Sequence, residues 1–133
     1  MKMGKMKGMN RVTLVGNTGG DPVVKLLSDG VAVAKFAMAT TDYYRTKDGR
    51  LQSDTQWHNV VLWRGLAELA RKYLRKGSLL LLEGKLRYRK YKDKEGDMRY
   101  LTEIVGDNLI LLNPKPIPVD HLEEDEEAAD LDF

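Results

Sequence analysis

The sequence predicts an all-β barrel of five strands, with one short helix between strands 3 and 4 and a disordered acidic tail. Segments rich in β-branched, aliphatic and aromatic residues alternate with turns that contain Gly, Asp and Ser. Only residues 64–76 carry apolar residues at helical spacing. A single helix excludes a helical bundle, and the lack of strand–helix alternation excludes a doubly wound α/β fold.

Alternating polarity predicts where each strand lies. The predicted strands are residues 10–17, 31–44, 55–63, 78–91 and 98–112, with a short β-prone segment at 23–27. In strand 31–44, Phe36 and Met38 share one face and Lys35 lies on the other. Residues 45–54 are polar and predict a loop, and residues 92–97 predict the turn of a long hairpin.

The helix is predicted from apolar residues that repeat every three to four positions. These residues are Leu66, Leu69, Ala70, Tyr73 and Leu74. Arg75 and Lys76 are expected in the last turn, where cations interact favourably with the helix dipole. Gly77 is expected to end the helix.

Strand 55–63 contains both tryptophans of the protein. Alternation divides this strand into one face with Trp57, Asn59, Val61 and Trp63 and another with His58, Val60 and Leu62. Two large rings on one sheet surface can serve as core or as a platform on which bases stack. The opposite face, with His58 and Val60, is expected to be buried against a second copy of the chain, because a small barrel gains stability that way.

Cations are expected close to the tryptophans. In strand 78–91, alternation places Lys85, Arg87, Arg89 and Tyr91 on one face. Because phosphates attract cations and unpaired bases stack on flat rings, this combination predicts a single-stranded nucleic acid ligand. The cations expected to contact phosphates are Lys35, Arg45, Lys47, Arg50, Lys85, Arg87, Arg89 and Lys90.

Composition and charge describe one basic domain with an acidic end. The domain is expected at residues 9–113, between a disordered basic arm (1–8) and a short linker with an acidic tail (114–133). Residues 1–119 hold all 22 basic and 12 of the 20 acidic residues, a net charge of +10, whereas the last 14 residues carry −8. This asymmetry predicts a polyanionic ligand for the domain and a separate role for the tail.

Several functions are excluded by what the sequence lacks. It has no cysteine and only two histidines, so we expect no disulfide and no metal site, and the absence of cysteine fits a reducing cytoplasm. It has no run of about 18 apolar residues and therefore predicts no membrane span. No carboxylate set has metal-ligand spacing and no glycine loop could hold phosphate, so we expect neither an enzyme nor a cofactor.

Five strands with a helix after the third are typical of the OB barrel, which binds oligonucleotides on one sheet face and its flanking loops. The sequence also resembles the bacterial single-stranded DNA-binding protein family over nearly its whole length. The segments that carry the resemblance are residues 9–17, 21–22, 37–40, 56–62, 66–68, 73–78, 83–87 and 130–133. The resemblance implies an OB fold, a homotetramer, and sequence-independent binding of single-stranded DNA in the cytoplasmic nucleoid during replication, recombination and repair.

The resemblance also assigns roles to individual residues. Tyr44 and Tyr91 stand where tryptophan is common in the family, Trp57 matches directly, and Trp63 stands where phenylalanine is common. These four are therefore the expected base-stacking residues. His58 matches a histidine at the subunit interface of the family.

The tail resembles the partner-binding terminus of the family, with two departures. The implied partner-binding residues are Asp130, Leu131, Asp132 and Phe133. Asp132 replaces the usual proline, and the long Gly/Pro/Gln-rich linker of the family is reduced to residues 113–119.

Three alternative functions share some of these features. An OB-fold RNA binder or translation factor would have a similar aromatic and basic surface. A replication-restart OB dimer is related to the same family but lacks an acidic tail. A metal-dependent nuclease would need carboxylates that converge on one site, and the spacing of the acidic residues does not predict one.

Overall fold

The computed structural model describes residues 7–113, which form a β-barrel with one helix. The elements are β1 (Val12–Thr18), β2 (Val23–Leu26), β3 (Ala32–Arg45), β4 (Leu51–Trp63), α1 (Gly65–Tyr73), β5 (Leu79–Lys92) and β6 (Met98–Leu111). No helix in this part of the chain has the length and hydropathy needed to cross a membrane.

The predicted barrel of five strands is confirmed. The sheet order is β1-β5-β6-β4-β3, and an additional pairing of β1 with β3 closes it. Closure brings two backbones close together at Gly16, where any Cβ would collide with the carbonyl oxygen of Ala39. The short β2 pairs with β3 alone, so α1 follows the third barrel strand, as predicted.

The barrel interior contains side chains from one alternating face of β3 and one alternating face of β4. Met38 and Phe36 of β3 are buried there, and so are Val60 and Leu62 of β4. The apolar face of α1 contributes to the same core through its two buried alanines and the following Leu74. Because Val60 is buried inside a single copy, the expectation that it lies on a subunit interface is wrong.

The helix is shorter than predicted. It ends at Tyr73, and Leu74 has extended backbone angles while its N–H still donates to the carbonyl of Ala70 at 2.9 Å. Arg75 and Lys76 therefore lie in the turn that follows, where the N–H of Lys76 donates to Asp21 at 2.8 Å. The periodicity ran past the true end because Leu74 is buried in the core whether or not it is helical.

The predicted loop at 45–54 is largely a continuation of two strands. Strands β3 and β4 stay paired to Arg45 and Leu51, which leaves only residues 46–50 as a turn. The outer part of this hairpin extends beyond the barrel, and its side chains on both faces are mostly exposed. Because the residues on both faces of this part are mostly polar, the sequence shows no alternation of polar and apolar residues, and the strands could not be predicted from it.

A second long hairpin, β5–β6, extends from the barrel near β4. Strands β4 and β6 are parallel and pair only where Val60 and Val61 meet Ile104 and Val105. Beyond that point β5 and β6 continue as a two-stranded ribbon to the turn at 93–97. Residues 1–6 and 114–133 lie outside the described part of the chain, and with them most of the predicted arm and the whole predicted tail.

Candidate nucleic-acid interface

The two tryptophans lie on the outer surface of the barrel. Trp57 is 62% exposed and Trp63 is 37% exposed, while Val60 and Leu62, which face inward between them, are buried. Their partners on β3 are Ala39 and Val33, which are smaller than the rings opposite them. Neither ring belongs to the core. Alternation allowed either a core or a surface position for the two tryptophans, and the structure places both on the surface.

Trp57 rests against a glycine of the β1–β2 turn. A Cβ added to Gly19 would lie 2.5 Å from Cζ3 of the Trp57 ring and 3.1 Å from Cη2. The N–H of Gly19 donates to the carbonyl of Ala37 at 2.8 Å, which fixes this turn on the neighbouring strand. The absence of a side chain at position 19 therefore allows the observed ring position.

Two lysines lie on either side of the tryptophan strand, Lys35 on the neighbouring strand β3 and Lys85 two strands away on β5. Strand pairing places Lys35, Val61, Val105 and Lys85 in one row across β3, β4, β6 and β5. Trp63 lies two residues from this row and Trp57 lies four residues away in the other direction. Lys35 and Lys85 are exposed and form no ion pair within residues 7–113, so their charge is available to a ligand.

Arg87 and Arg89 share this outer face but differ in their partners. Arg87 is exposed and forms no ion pair within the described chain. Arg89 donates through Nε (3.4 Å) and Nη2 (3.1 Å) to the two carboxylate oxygens of Glu103, whose side chain is buried. The positive charge of Arg89 is therefore largely offset, and Arg89 is a weaker phosphate ligand than the sequence predicted.

The tip of the β3–β4 hairpin holds its cations with local contacts. The Arg45 guanidinium donates to the carbonyl of Gly49 at 2.8 Å, and Arg50 forms an ion pair with Asp48 at 3.0 Å. A hydrogen bond from the Thr46 hydroxyl, followed by a backbone hydrogen bond and one from the Arg50 side chain, lowers the pKa of Asp48. Lys47 is exposed in the same turn without an ion pair in the described part of the chain.

The remaining predicted residues do not all share the tryptophan face. Tyr44 is half exposed, but its partner in the register is Gln52, which places it on the face opposite Trp57. Tyr91 is partly exposed on the same face of β5 as Arg87. Lys90 lies on the other face of that strand, opposite Tyr100, and is not brought together with Arg87.

His58 lies at the edge of the barrel interior rather than on an open surface. It is half buried, and its Nε2 is hydrogen-bonded to the Thr40 hydroxyl at 2.9 Å. It also lines a cleft of about 240 Å³ between β4 and the β5–β6 hairpin. The other residues lining this cleft are Trp57, Asn59, Leu86, Thr102 and Ile104.

Three carboxylates in the β5–β6 turn lie close enough to bind a cation, but most of their contacts are within the turn. They belong to Asp93, Glu95 and Asp97. A hydrogen bond from Arg99, followed by one from the Asp97 backbone, lowers the pKa of Asp93. These contacts show that the carboxylates are held together by the hydrogen bonds that form the turn.

A family model identifies the chain. Residues 9–112 match the model described as the single-strand binding protein family. The chain belongs to this family. The match covers the whole barrel and agrees with the resemblance found in the sequence.

Individual relatives give the same result. A single-stranded DNA-binding protein of Bacteroides thetaiotaomicron is 49% identical over 109 residues, covering 80% of this chain and 68% of the relative. A single-stranded DNA-binding protein of Xylella fastidiosa is 43% identical over 106 residues, covering 80% of this chain and 65% of that relative. The chain thus spans about two thirds of the length of these two proteins.

A solved structure extends the likeness to three dimensions. A chain of the Plasmodium falciparum SSB in complex with ssDNA matches with a TM-score of 0.75 and 33% identity, covering 82% of this chain and 99% of that one. The names of these relatives describe binding and no catalysis, in agreement with the prediction that the chain is not an enzyme. They also favour the single-stranded DNA reading over an RNA binder or a nuclease.

The structure adds three exposed tyrosines that sequence reasoning left unassigned. Tyr43 lies on the Trp57 face of the β3–β4 hairpin, whereas Tyr88 and Tyr100 lie on the β5–β6 hairpin. A signal for Tyr88 was present, because Tyr88, Lys90 and Lys92 occupy alternate positions in β5, whereas β6 contains Tyr100 but no lysine. Arg87 and Tyr91, which predict a ligand-binding face, lie on the opposite face of β5.

Proposed function

We propose that this protein binds single-stranded DNA without sequence preference. The observation that carries the proposal is the outer barrel face, where Trp57 and Trp63 are exposed between the free cations Lys35 and Lys85. Exposed rings can stack on any base, and cations attract phosphates irrespective of sequence. Relatives at 43–49% identity that are named for this activity support the proposal.

The same geometry explains why the ligand is an unpaired strand. In a duplex the flat faces of the bases are stacked on one another and cannot reach Trp57 or Trp63. The groups that the tryptophan face exposes are aromatic rings and cations, which can contact the bases and phosphates of any sequence. Binding energy is therefore expected to come from stacking and from phosphate contacts alone.

Tryptophan fluorescence during titration with oligothymidylate tests the proposal. We expect the tryptophan fluorescence to be quenched on binding and the Kd to rise with salt concentration. The slope of log K against log[salt] should be about −0.7 for each phosphate neutralised. Trp57→Ala should cost about 1–3 kcal/mol of binding free energy, as expected for one base–aromatic stack. Trp57→Phe keeps a ring and should retain most of the affinity.

A charge variant and a matched control separate the interface from the general charge of the protein. Lys85→Gln should weaken binding and reduce the salt slope, whereas Lys72→Gln on α1 removes the same charge away from the outer face. Equal effects of both variants, or stronger binding of duplex than of single strand, would contradict the proposal. Competition between DNA and RNA oligonucleotides of one sequence decides which of the two is preferred.

We also propose that the chain assembles into a homotetramer. An apolar patch on the barrel supports this: Val15, Leu81 and Ile110 form a row across β1, β5 and β6 on the outer face. Val15 is 51% exposed and Ile110 is 47% exposed in a single copy. A contiguous apolar surface of this kind is stabilised when a second copy covers it.

The oligomeric state can be measured by light scattering coupled to size exclusion. We expect four times the chain mass of 15.1 kDa. Ile110→Lys should reduce this mass, because a buried lysine would remain unpaired in the interface, while Leu26→Lys at the exposed edge strand should not. His58, at the edge of the barrel interior, is proposed to help orient the copies. A wild-type chain that is monomeric at micromolar concentration would refute the assembly.

The final residues are proposed to recruit replication, recombination and repair proteins to the bound DNA. Leu131 and Phe133 are apolar residues in an acidic segment, which suits a hydrophobic pocket with a basic rim. Phe133→Ala should leave DNA affinity nearly unchanged and abolish recruitment in a pull-down. Retention of the same partners by the variant would contradict this role.

A further inference from the structure

We propose that the basic arm at the start of the chain docks in the cleft near His58 and closes the open end of the barrel. Residues 1–6 of this arm lie outside the described part of the chain, and the sequence predicts that the arm is disordered. Three features of the described residues support docking: the open cleft, the point at which the arm joins the barrel, and two carboxylates beyond the cleft. The inference concerns the protein without DNA and goes beyond the proposed function.

The helix closes only one end of the barrel. It packs against β2, β3, β4 and β6, and its buried alanines share a core cluster with Leu62 near the end of β4 and Leu80 near the start of β5. Towards the other end of these two strands, β4 and β6 stop pairing and a cleft of about 240 Å³ opens between β4 and the β5–β6 hairpin. Because α1 is the one helix within residues 7–113, this end of the barrel has no helical cover in the described chain.

The arm joins the barrel at the rim of this cleft. Asn10 donates from its side-chain amide to the carbonyl of Leu86 at 2.8 Å and accepts a hydrogen bond from the Leu86 N–H at 2.9 Å. Leu86 is one of the residues that line the cleft. Asn10 therefore anchors the arm to the hairpin side of the cleft.

The arm is long enough to cross the cleft. In the order of strands, β4 lies two strand spacings from β5, which is about 10 Å. An extended chain covers about 3.3 Å per residue, so Met6, four residues before Asn10, lies within about 13 Å of the anchor. Met6 can therefore reach the β4 side of the cleft, and residues 1–5 can continue beyond it.

The lining of the cleft suits a methionine. Leu86 and Ile104 supply apolar side chains, and Trp57 supplies an aromatic ring. Methionine is unbranched and flexible, so it fills irregular gaps, and its sulfur is attracted to aromatic rings. Burial of the Met6 side chain in the cleft is therefore favourable.

Two carboxylates without an ion-pair partner lie beyond the cleft. Asp42 and Asp54 stand directly opposite each other in the β3–β4 hairpin and form no ion pair within residues 7–113. Alternation places them on the face that carries His58. Like charges directly opposite each other destabilise an antiparallel pair, so this pair attracts a cation.

The arm supplies the matching cations. Residues 1–8 hold three lysines and no acidic residue. Lys2 lies four residues before Met6, and Asp54 lies four residues before His58 in β4. Since extended segments of equal length span equal distances, an arm with Met6 in the cleft brings Lys2 near Asp54. Apolar and charged contacts thus favour the same position of the arm.

A spin label on the arm of the full-length protein tests this position without DNA. Because the chain has no cysteine, Gly4→Cys provides a single attachment site for a nitroxide. We expect strong broadening of the amide NMR signal of Asn59, which lines the cleft on β4, and none for Ala70 in α1. Arg87 is the matched control near the anchor, since it follows Leu86 but lies on the outer face of β5. Its signal should be broadened less than that of Asn59.

Charge variants of the same labelled chain test the carboxylates. Asp42→Asn combined with Asp54→Asn should strongly reduce the broadening of Asn59, and so should about 1 M salt, at which the screening length is only about 3 Å. Asp107→Asn removes an exposed carboxylate of β6 that does not line the cleft, and it should leave the broadening unchanged. Unchanged broadening in the double variant would overturn the proposal.

Two further outcomes would also overturn it. Equal broadening of Asn59 and Arg87 would show that the arm is not held in the cleft. In a mixture of spin-labelled chains with isotope-labelled chains that carry no spin label, broadening of Asn59 would show that the cleft binds the arm of another copy. Neither result depends on DNA, so the proposed function is tested separately.

Discussion

At the scale of single residues, the position of Trp57 depends on the missing side chain of Gly19. Gly19→Ala would place a methyl group 2.5 Å from the Trp57 ring, so the ring must move. We expect a shifted tryptophan emission spectrum and a loss of roughly 1 kcal/mol in DNA-binding free energy, up to the value of one stack. Gly20→Ala is the control, because its Cβ would meet no heavy atom within 4 Å. Equal DNA affinities of the two variants would show that the missing side chain at Gly19 does not control DNA binding through the Trp57 ring.

Arg64 is a second residue for which the structure predicts the effect of a substitution, because its backbone is strained. It precedes α1 with φ 57° and ψ −121°, a conformation that favours glycine, while the adjacent Gly65 is helical. Relief of this strain should exceed the entropic cost of a glycine, so Arg64→Gly should stabilise the fold by roughly 1 kcal/mol. Arg64→Ala keeps the strain and removes the same side chain. A denaturation midpoint for Arg64→Gly at or below that of Arg64→Ala would contradict this account.

At the scale of elements, the turn of the β5–β6 hairpin should respond to acid. The Arg99 hydrogen bond and backbone donors lower the pKa of Asp93 below its ordinary value of 3.8. A lowered pKa in the folded state means that the ionised carboxylate stabilises the turn above about pH 3.8. This contribution is lost as the pH falls through the lower folded value.

Side-chain and amide NMR signals provide the measurement. We expect the Glu95 and Asp97 amide signals, whose N–H groups donate to Asp93, to stay constant near neutral pH and to move in acid. Arg99→Gln removes the largest cause of the shift, so Asp93 should then titrate closer to 3.8. An unchanged titration of Asp93 in that variant would show that Arg99 is not the cause.

At the scale of the whole molecule, the opposite charges of domain and tail should compete with DNA. The last 14 residues carry a charge of −8 and are connected to a region of +10. Deleting residues 120–133 should therefore strengthen DNA binding most at low salt, and the difference should fade as ions screen the charges. Affinities of both forms across a salt series give the result. A difference that is independent of salt would point to a cause other than electrostatic competition.

The sequence by itself determined the barrel, the position of the helix in the strand order, and the two faces of the tryptophan strand. These follow from local rules, because a strand alternates its side chains and a buried stripe repeats along a helix. It also showed the separation of charge between domain and tail. Family membership followed from the same residues and was confirmed by the comparisons.

Only the tertiary structure decided which of the predicted residues are available to a ligand. The sequence could not show that Glu103 holds Arg89, because the two meet across a hairpin, or that Gly19 supports Trp57 from 38 positions away. It could not show that Val60 is core, since alternation gives a face but not what covers it. Contacts between distant segments depend on the closure of the barrel and on how far its hairpins extend, and no local pattern encodes either.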